Sequence, residues 1–120
     1  MRGAEVREML AALNTGHDGG CGTVHANAPV DVPRRFDALG ALAGLPRDAV
    51  QTQLASAVEA VVHLVREGGG RRVDSISVLR WTGAETVSDL AFDAAPGRDS
   101  ADQRGPGWPA LASLTGVDPC

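Results

Sequence analysis

Apolar residues recur at helical spacing near the start of the chain. Val6, Met9, Leu10 and Leu13 lie at positions i, i+3, i+4 and i+7, which places them on one face of a helix. The sequence therefore predicts an amphipathic helix over residues 5–13. Gly16 can adopt the left-handed conformation that ends such a helix.

Two more helices are predicted in the middle of the chain. The first begins after Asp31, with Pro33 in its first turn, and ends at Gly44. Its apolar residues at helical spacing are Phe36, Leu39 and Leu42. The second begins at Pro46, because a proline loses no hydrogen bond in a first turn. In this helix one face is formed by Val50, Leu54, Ala57 and Val58, and the outward-facing residues are Gln51, Gln53 and Glu59.

The pattern then changes to one typical of strands. The β-branched run 60–65 is too short for a helix and predicts a buried strand, in which His63 is a core histidine. Three glycines at 68–70 predict a turn, and the alternating segment 73–81 is the predicted hairpin partner. A shorter strand is predicted over 86–92. Residues 94–107 lack periodicity and predict a flexible linker, followed by a short helix over 108–114 that docks through Trp108 and Leu111.

A glycine-rich stretch joins the first two helices. Residues 21–26 combine small and β-branched residues, which predicts a short strand after a glycine turn. His17 and His25 lie at the two ends of this unit. Thr23 is two residues from His25, and the two therefore share a face of the predicted strand. Such a unit can present imidazole and amide groups to an anion.

Composition excludes several classes of protein. The 120 residues fit one domain, and a net charge of −4 argues against a general nucleic-acid binder. No apolar run approaches the roughly 20 residues that span a bilayer, and the first residues lack the charged-then-apolar pattern expected of a signal segment. Cys21 and Cys120 are too few for a disulfide scaffold. His17 and His25 lack the further ligands that a zinc site requires.

Several linked motifs resemble the type II/IV secretion ATPases, in the branch that powers tight-adherence pili and conjugal transfer. These motifs are Arg2-Gly3-Ala4-Glu5, Asn14-Thr15-Gly16-His17 and Thr23-Val24-His25-Ala26-Asn27. The resemblance continues through Leu42-Ala43-Gly44-Leu45-Pro46, Gln53-Leu54-Ala55-Ser56-Ala57 and Gly70-Arg71-Arg72-Val73, over the first two-thirds of the chain. A run of linked motifs is far more specific than one alone. Ser77 departs from the family, in which an acidic residue follows the isoleucine of this strand.

The resemblance implies an α/β fold, the C-terminal part of a RecA-like P-loop NTPase domain without its P-loop half, with a β-hairpin and a flexible C-terminal tail. It implies a domain portion over residues 1–93, with a histidine box at 14–27, and a linker with a terminal helix over 94–120. The chain contains no lysine, so it holds no Walker A motif. The resemblance begins just after the Walker B acid, and we expect the gene to start upstream of Met1.

The resemblance also implies the site. His25 and His17 take catalytic positions that sense the γ-phosphate, and the nucleotide-binding positions are Thr23, Arg2 and Asn27. Each residue has a simpler interpretation. His25 can pack against carbonyls, His17 can stabilise a helix C-terminus, and Thr23 can serve the strand alone.

Other cationic residues also have two interpretations. Arg2 can pair with Glu5 on a helix surface. Arg34 and Arg35 lie either near a subunit boundary or on a solvated helix surface. Arg71 and Arg72 are expected to provide solubility at a strand end.

By the resemblance, the parent protein uses ATP and Mg²⁺, neither of which this chain is expected to bind alone. The parent would be a homo-oligomeric ring, a hexamer, in the cytoplasm at the inner face of the membrane. Its partner would be the membrane assembly platform of a secretion or pilus system, and no direct nucleic-acid contact is expected. The chain alone is expected to be inactive. The alternative is a non-catalytic module that binds full-length ATPase subunits.

Overall fold

The fold consists of four α-helices and a three-stranded antiparallel sheet. The computed structural model describes residues 3–14, 21–94, 97 and 103–116. The helices are α1 (Gly3–Asn14), α2 (Val32–Leu42), α3 (Arg47–Ala57) and α4 (Trp108–Thr115), and a short 3-10 helix at Pro29–Asp31 precedes α2. The strands are β1 (Ala60–Glu67), β2 (Gly70–Trp81) and β3 (Thr86–Asp93), in the spatial order β1-β2-β3. The predicted α/β class is confirmed, and its RecA-like character stays a prediction.

Helices α1, α2 and α3 pack together around the main hydrophobic core, as their predicted apolar faces require. The buried residues of this core are Val6, Leu10, Val32, Phe36, Leu39, Val50 and Leu54. Leu42 was wrongly predicted to extend the face of α2, because it is 79% exposed. It lies six residues beyond Phe36, which is roughly 240° around the helix at about 100° per residue. None of the described helices is long and apolar enough to cross a membrane.

Gln51 was predicted to face outward but is buried at the junction of α3 with the sheet. Its Oε1 accepts a hydrogen bond from Thr86 N at 2.8 Å, and its Nε2 donates to Asp37 Oδ1 at 2.6 Å and to Pro33 O at 3.3 Å. Thr86 Oγ1 also donates to the Gln51 carbonyl at 2.6 Å. A polar residue can be buried when its groups are paired in this way. The prediction from hydrophobic periodicity alone, that Gln51 faces outward from α3, was therefore wrong.

Gly40 allows α2 and α3 to approach closely. A Cβ at this position would overlap Val50 Cγ2. We therefore expect Gly40→Ala to lower the free energy of unfolding by about 1–3 kcal/mol through overpacking, as measured by urea denaturation. In the double variant Gly40→Ala/Val50→Ala the overlap is absent, so the combined loss should be smaller than the sum of the single losses. Strictly additive losses would contradict this explanation.

The predicted hairpin is confirmed. β1 and β2 pair from Ala60↔Val78 to Glu67↔Gly70, with an irregularity between His63 and Leu64. Gly68 and Gly69 form the two-residue turn with φ of +60° and +81°, the positive values that a type I′ turn requires. The third predicted strand is also present, as β3.

The prediction that β1 is buried was wrong. The helical layer covers one face of the sheet, where Val61 and Leu79 pack against the main core. On the other face a second cluster joins Val78 and Ala91 to Leu111 of α4. This second layer does not extend over β1, and Val62 and Leu64 are 55% and 50% exposed. β1 is therefore an edge strand with one covered face.

Residues 103–107 were predicted to lie in a flexible linker, but they pair with the outer edge of β3. Asp93 N donates to Gln103 O at 2.7 Å, and the amides of Gly105 and Gly107 donate to the carbonyls of Ala91 and Leu90. A Cβ on Gly105 would overlap the Leu90 carbonyl, so glycine permits this close approach. The predicted terminal helix is confirmed as α4, whose Leu111 is buried on the sheet. The division at residue 93 stays a prediction.

Candidate functional site

Residues 21–27 were predicted to contain a strand, and the structure assigns none there. A strand is defined by hydrogen bonds to a neighbour, and in the part of the chain that the structure describes no backbone hydrogen bond involves this segment. Its burial nevertheless alternates. Val24 and Ala26 pack against the main core, whereas Thr23, His25 and Asn27 are exposed. The predicted shared face of Thr23 and His25 is therefore present without the strand.

The exposed row at residues 23–27 borders a groove of about 1040 Å³. Thr23, His25 and Asn27 contribute hydroxyl, imidazole and amide groups to one side of it. Arg34 and Arg35, from the first turn of α2, lie on the same side. The groove therefore brings three of the predicted site residues together with two arginines.

The β1–β2 hairpin forms the opposite side of the groove. Residues 62–66 of β1 line it, together with Arg71 of β2. Arg66 and Arg71 are directly opposite each other in the strand register. Four arginines thus line this groove, and Asp31 is the acidic residue among its lining residues. In a chain of net charge −4, such local positive charge favours an anionic ligand.

The position of Arg34 and Arg35 strengthens this positive potential. A helix N-terminus carries a partial positive charge, and cations there are unfavourable for the helix itself. Two arginines in the first turn of α2 therefore add to the dipole instead of neutralising it. The arrangement suits an anion that approaches this end of the helix.

His63 was predicted to be a core histidine, but it lines the groove. Its Nδ1 lies 3.5 Å from Asp74 Oδ2, and this ring nitrogen is buried without a hydrogen bond among the described residues. The position follows from the alternation of β1, which directs Val61, His63 and Val65 to one face. The sequence pattern does not indicate this position, because a continuous apolar run is typical of a strand that is buried on both faces.

Arg71 and Arg72 differ in their surroundings, although both were predicted to provide solubility. Arg72 Nε donates to Glu67 Oε2, and its Nη1 lies 3.4 Å from Asp74 Oδ1. The hydrogen bond to Glu67 raises the pKa of the Arg72 guanidinium. Arg72 is therefore engaged within the hairpin, whereas Arg71 faces the groove.

Two predicted site residues lie outside the described residues. These are His17 and Arg2, so their roles stay predictions. The chemistry of the groove fits phosphate, because imidazole, hydroxyl, amide and guanidinium groups all donate hydrogen bonds to it. It does not fit Mg²⁺, which prefers carboxylate oxygens, since Asp31 is the one carboxylate in the lining. Within the described residues no group of three or more His, Cys, Asp or Glu could hold a metal ion.

Comparison with known proteins identifies the family. The sequence model described as type II/IV secretion system protein matches residues 1–92. A protein named "Putative conjugal transfer protein" from Mycobacterium tuberculosis strain H37Rv is 59% identical over 81 residues, which are 67% of this chain and 23% of that protein. The conjugal transfer protein TrbB of Rhizobium radiobacter is 38% identical over 68 residues, covering 57% of this chain and 20% of TrbB. No solved structure matches.

The matched region contains the motifs on which the resemblance rested, including residues 23–27. The chain spans less than a quarter of the length of these relatives. The segment that forms α4 lies beyond the family match. The match covers more than half of the chain, and this chain belongs to the type II/IV secretion system protein family.

Proposed function

We propose that this chain is the phosphate-contacting segment of an ATP-hydrolysing motor for conjugal transfer or type II/IV secretion. The observation that carries the proposal is the exposed row of Thr23, His25 and Asn27 beside a groove lined by arginines. The names of the relatives support a role in conjugal transfer.

In this proposal His25 donates a hydrogen bond to a phosphate oxygen. In the described part of the chain its imidazole has no hydrogen-bond partner, and it is exposed at the groove. An imidazole that gains and loses such a bond as the nucleotide is hydrolysed can transmit the change to the adjoining backbone. Thr23 and Asn27 would contact the same nucleotide from positions two residues to either side.

The rest of the catalytic apparatus is supplied by other polypeptide. The sequence has no lysine, so a Walker A lysine must come from elsewhere, and the groove lacks carboxylates for Mg²⁺. We accordingly propose that the chain alone does not hydrolyse ATP. The whole motor would be a hexameric ring of subunits at the cytoplasmic side of a membrane assembly platform.

The alternative is a non-catalytic module that binds full-length ATPase subunits. The exposed Val62 and Leu64 on an edge strand favour it, because exposed apolar strands pair readily with other chains. A pull-down of a purified full-length relative by this chain distinguishes the alternatives. Retention of the relative in the absence of nucleotide favours the binding module.

The phosphate contact can be tested on the isolated chain. We expect no ATP turnover and no binding of ATP at micromolar concentrations. At millimolar tripolyphosphate, the imidazole resonances of His25 should shift in NMR spectra, and the shift should decrease as salt is added. Because one hydrogen bond contributes about 0.5–1.5 kcal/mol, His25→Ala should weaken binding by about two- to tenfold.

A matched pair of arginine variants controls for net charge. Arg35→Gln removes one positive charge from the groove, whereas Arg80→Gln removes one from β2 outside it. Arg80 pairs with Asp89 at 2.7 Å. We expect weaker binding of tripolyphosphate only for Arg35→Gln. Equal effects of the two variants, or His25-dependent ATP turnover by the chain alone, would refute the proposal.

A further inference from the structure

Two arginines face each other across the β1–β2 hairpin, next to its turn. Arg66 and Arg71 are partners in the strand register, and directly opposite side chains lie on the same face of a sheet. Leu79 N donates to Glu59 O, and hydrogen-bonded pairs alternate along a strand, so these pairs fall at the odd-numbered residues of β1. The bulge adds its extra residue, Asp74, to β2 and leaves this alternation unbroken. Arg66 and Arg71 therefore form a non-hydrogen-bonded pair, in which Cα atoms are only about 4.5 Å apart.

This arginine pair has no counterion within the described residues. All the ion pairs found there involve other cationic side chains, and both Arg66 and Arg71 are exposed. Like charges that lie directly opposite each other destabilise two paired strands. An anion bound between the two guanidinium groups would replace this repulsion with attraction.

The carboxylates of the hairpin lie on the other face and are bound to Arg72. Arg72 Nε donates to Glu67 Oε2, and Arg72 Nη1 lies 3.4 Å from Asp74 Oδ1. Successive side chains of a strand point to opposite faces, so Glu67 and Arg72 lie on the face opposite to that of Arg66 and Arg71. The hairpin thus separates its charges, with the acidic residues paired on one face and two cations left without an acid on the other.

The glycine turn leaves space and amide groups beside the arginine pair. A Cβ at Gly68, Gly69 or Gly70 would have no other atom within 4 Å. Among the described residues, the amides of Gly68 and Gly69 donate no hydrogen bond to another backbone group. Residues 66–71 line a cavity of about 450 Å³ here. Free amides in a turn can form a concave site for an anion, so the turn adds donors at this end of the hairpin.

The donor groups at the turn fit a phosphate group. Each guanidinium can donate two parallel hydrogen bonds to an oxyanion. A terminal phosphate group offers three acceptor oxygens, whereas a carboxylate offers two. Glu67 is the one carboxylate in the lining of this cavity, and its bond to Arg72 keeps it from neutralising the arginine pair.

We propose that Arg66, Arg71 and the amides of the glycine turn bind one phosphate group at the tip of the hairpin. The site goes beyond the phosphate contact proposed for His25, because it uses no residue of the segment 23–27. It also gives a role to Arg71, for which the sequence predicts only solubility. The phosphate group belongs to a nucleotide or to a free inorganic anion, and the two sources share the chemistry that the site recognises.

The test uses inorganic pyrophosphate, titrated into the full chain at constant ionic strength and followed through the arginine Nε–H signals in NMR spectra. We expect saturable shifts of the Arg66 and Arg71 signals. Arg66→Gln and Arg71→Gln should each weaken binding about tenfold, the loss typical of a hydrogen bond to a charged group. Arg80→Gln removes the same charge from β2 away from the turn and should stay within about twofold. Equal losses for all three variants would overturn the proposal.

Two comparisons separate a specific phosphate site from a general positive potential. Arg71→Lys keeps the charge but loses the planar fork, and it should still bind pyrophosphate at least about threefold more weakly. Acetate at the same concentration and ionic strength should cause no saturable shift. Unchanged binding by Arg71→Lys, or an equal response to acetate, would overturn the proposal.

The stability of the chain provides an independent measurement. Without phosphate, Arg66→Gln should unfold at a urea concentration no lower than that of the wild type, because it removes a repulsive pair. Addition of pyrophosphate should raise the urea midpoint of the wild type more than that of the variant, because a ligand that binds the folded state stabilises it. Equal increases for the two proteins would overturn the proposal.

ATP and inorganic phosphate distinguish the two sources of the phosphate group. A response of the Arg66 and Arg71 signals at lower concentrations of ATP than of inorganic phosphate identifies a nucleotide, and the reverse order identifies the free anion. The absence of a response to both would overturn the proposal. His25→Ala should leave the binding of pyrophosphate at the turn within about twofold. Failure of the His25 contact and failure of the hairpin site are therefore observed separately.

Discussion

Replacing Gln51 with leucine should lower the free energy of unfolding by about 2–4 kcal/mol. The side chain is almost fully buried and links α3 to the start of β3 and to α2. Leucine is similar in size but has no polar group, so the buried Thr86 N–H loses its acceptor and Asp37 Oδ1 loses the amide donor. Each buried group left unpaired costs about 1–3 kcal/mol. Urea denaturation followed by circular dichroism measures the loss.

The neighbouring Thr52 provides a control for Gln51. Thr52 is exposed, and its hydroxyl donates only to the Asp48 carbonyl within the same helix, at 2.8 Å. Thr52→Val should therefore change stability by no more than about 0.5 kcal/mol. A Gln51→Leu variant as stable as the wild type would show that the buried hydrogen bonds do not hold the helices to the sheet.

Replacing Leu54 with alanine should destabilise the chain by about 2–5 kcal/mol. Leu54 is completely buried among α1, α2 and α3, and truncation removes three carbons and leaves a cavity. Domains of this size are stable by only about 5–15 kcal/mol. The variant should therefore unfold at a much lower urea concentration, with an unchanged dependence of the free energy on urea.

Leu42 supplies the matched control for Leu54. Both are leucines of the helical layer, but Leu42 is 79% exposed. Leu42→Ala should change the free energy of unfolding by no more than about 0.5 kcal/mol. Similar losses for the two variants would contradict the difference in burial between Leu42 and Leu54.

The helices were predictable from sequence because one periodic face decides them. Val6 and Leu10 of α1, and Val50 and Leu54 of α3, are buried as their spacing predicts. Gln51 was not predictable in this way, since its partner Thr86 is 35 residues away in the sequence. Burial of a polar side chain depends on partners brought together by the tertiary fold.

The positions of the strands were predicted from the sequence, but their burial was not. The apolar run 60–65 predicts a strand that is buried on both faces. The composition of a strand does not show which of its faces the other layers of the fold cover. The structure covers only the face with Val61 and His63, and Val62 remains exposed. Residues 21–26 have the composition of a strand, but composition does not supply the neighbour that hydrogen-bonding requires.

The lining of the groove was predictable in part from the sequence, and the roles of its residues stay predictions. The motif at residues 23–27 identified Thr23, His25 and Asn27, and the structure places all three along one groove. His63 and Arg66 also line the groove, but the sequence did not predict this. Their position depends on the pairing of the hairpin and on its location opposite residues 23–27. The two remaining predicted residues, His17 and Arg2, lie outside the described residues.

The residues that follow β3 affect where a shortened form of this protein can end. The family match stops at residue 92, yet the packed apolar core continues to α4, because Leu111 shields Val78 and Ala91 from water. A polypeptide that ended at residue 92 would expose the apolar face of the sheet that α4 covers. It would also leave the outer edge of β3 unpaired, as a second edge that can pair with other chains. The end of the family match and the end of the packed core are therefore different positions in this protein.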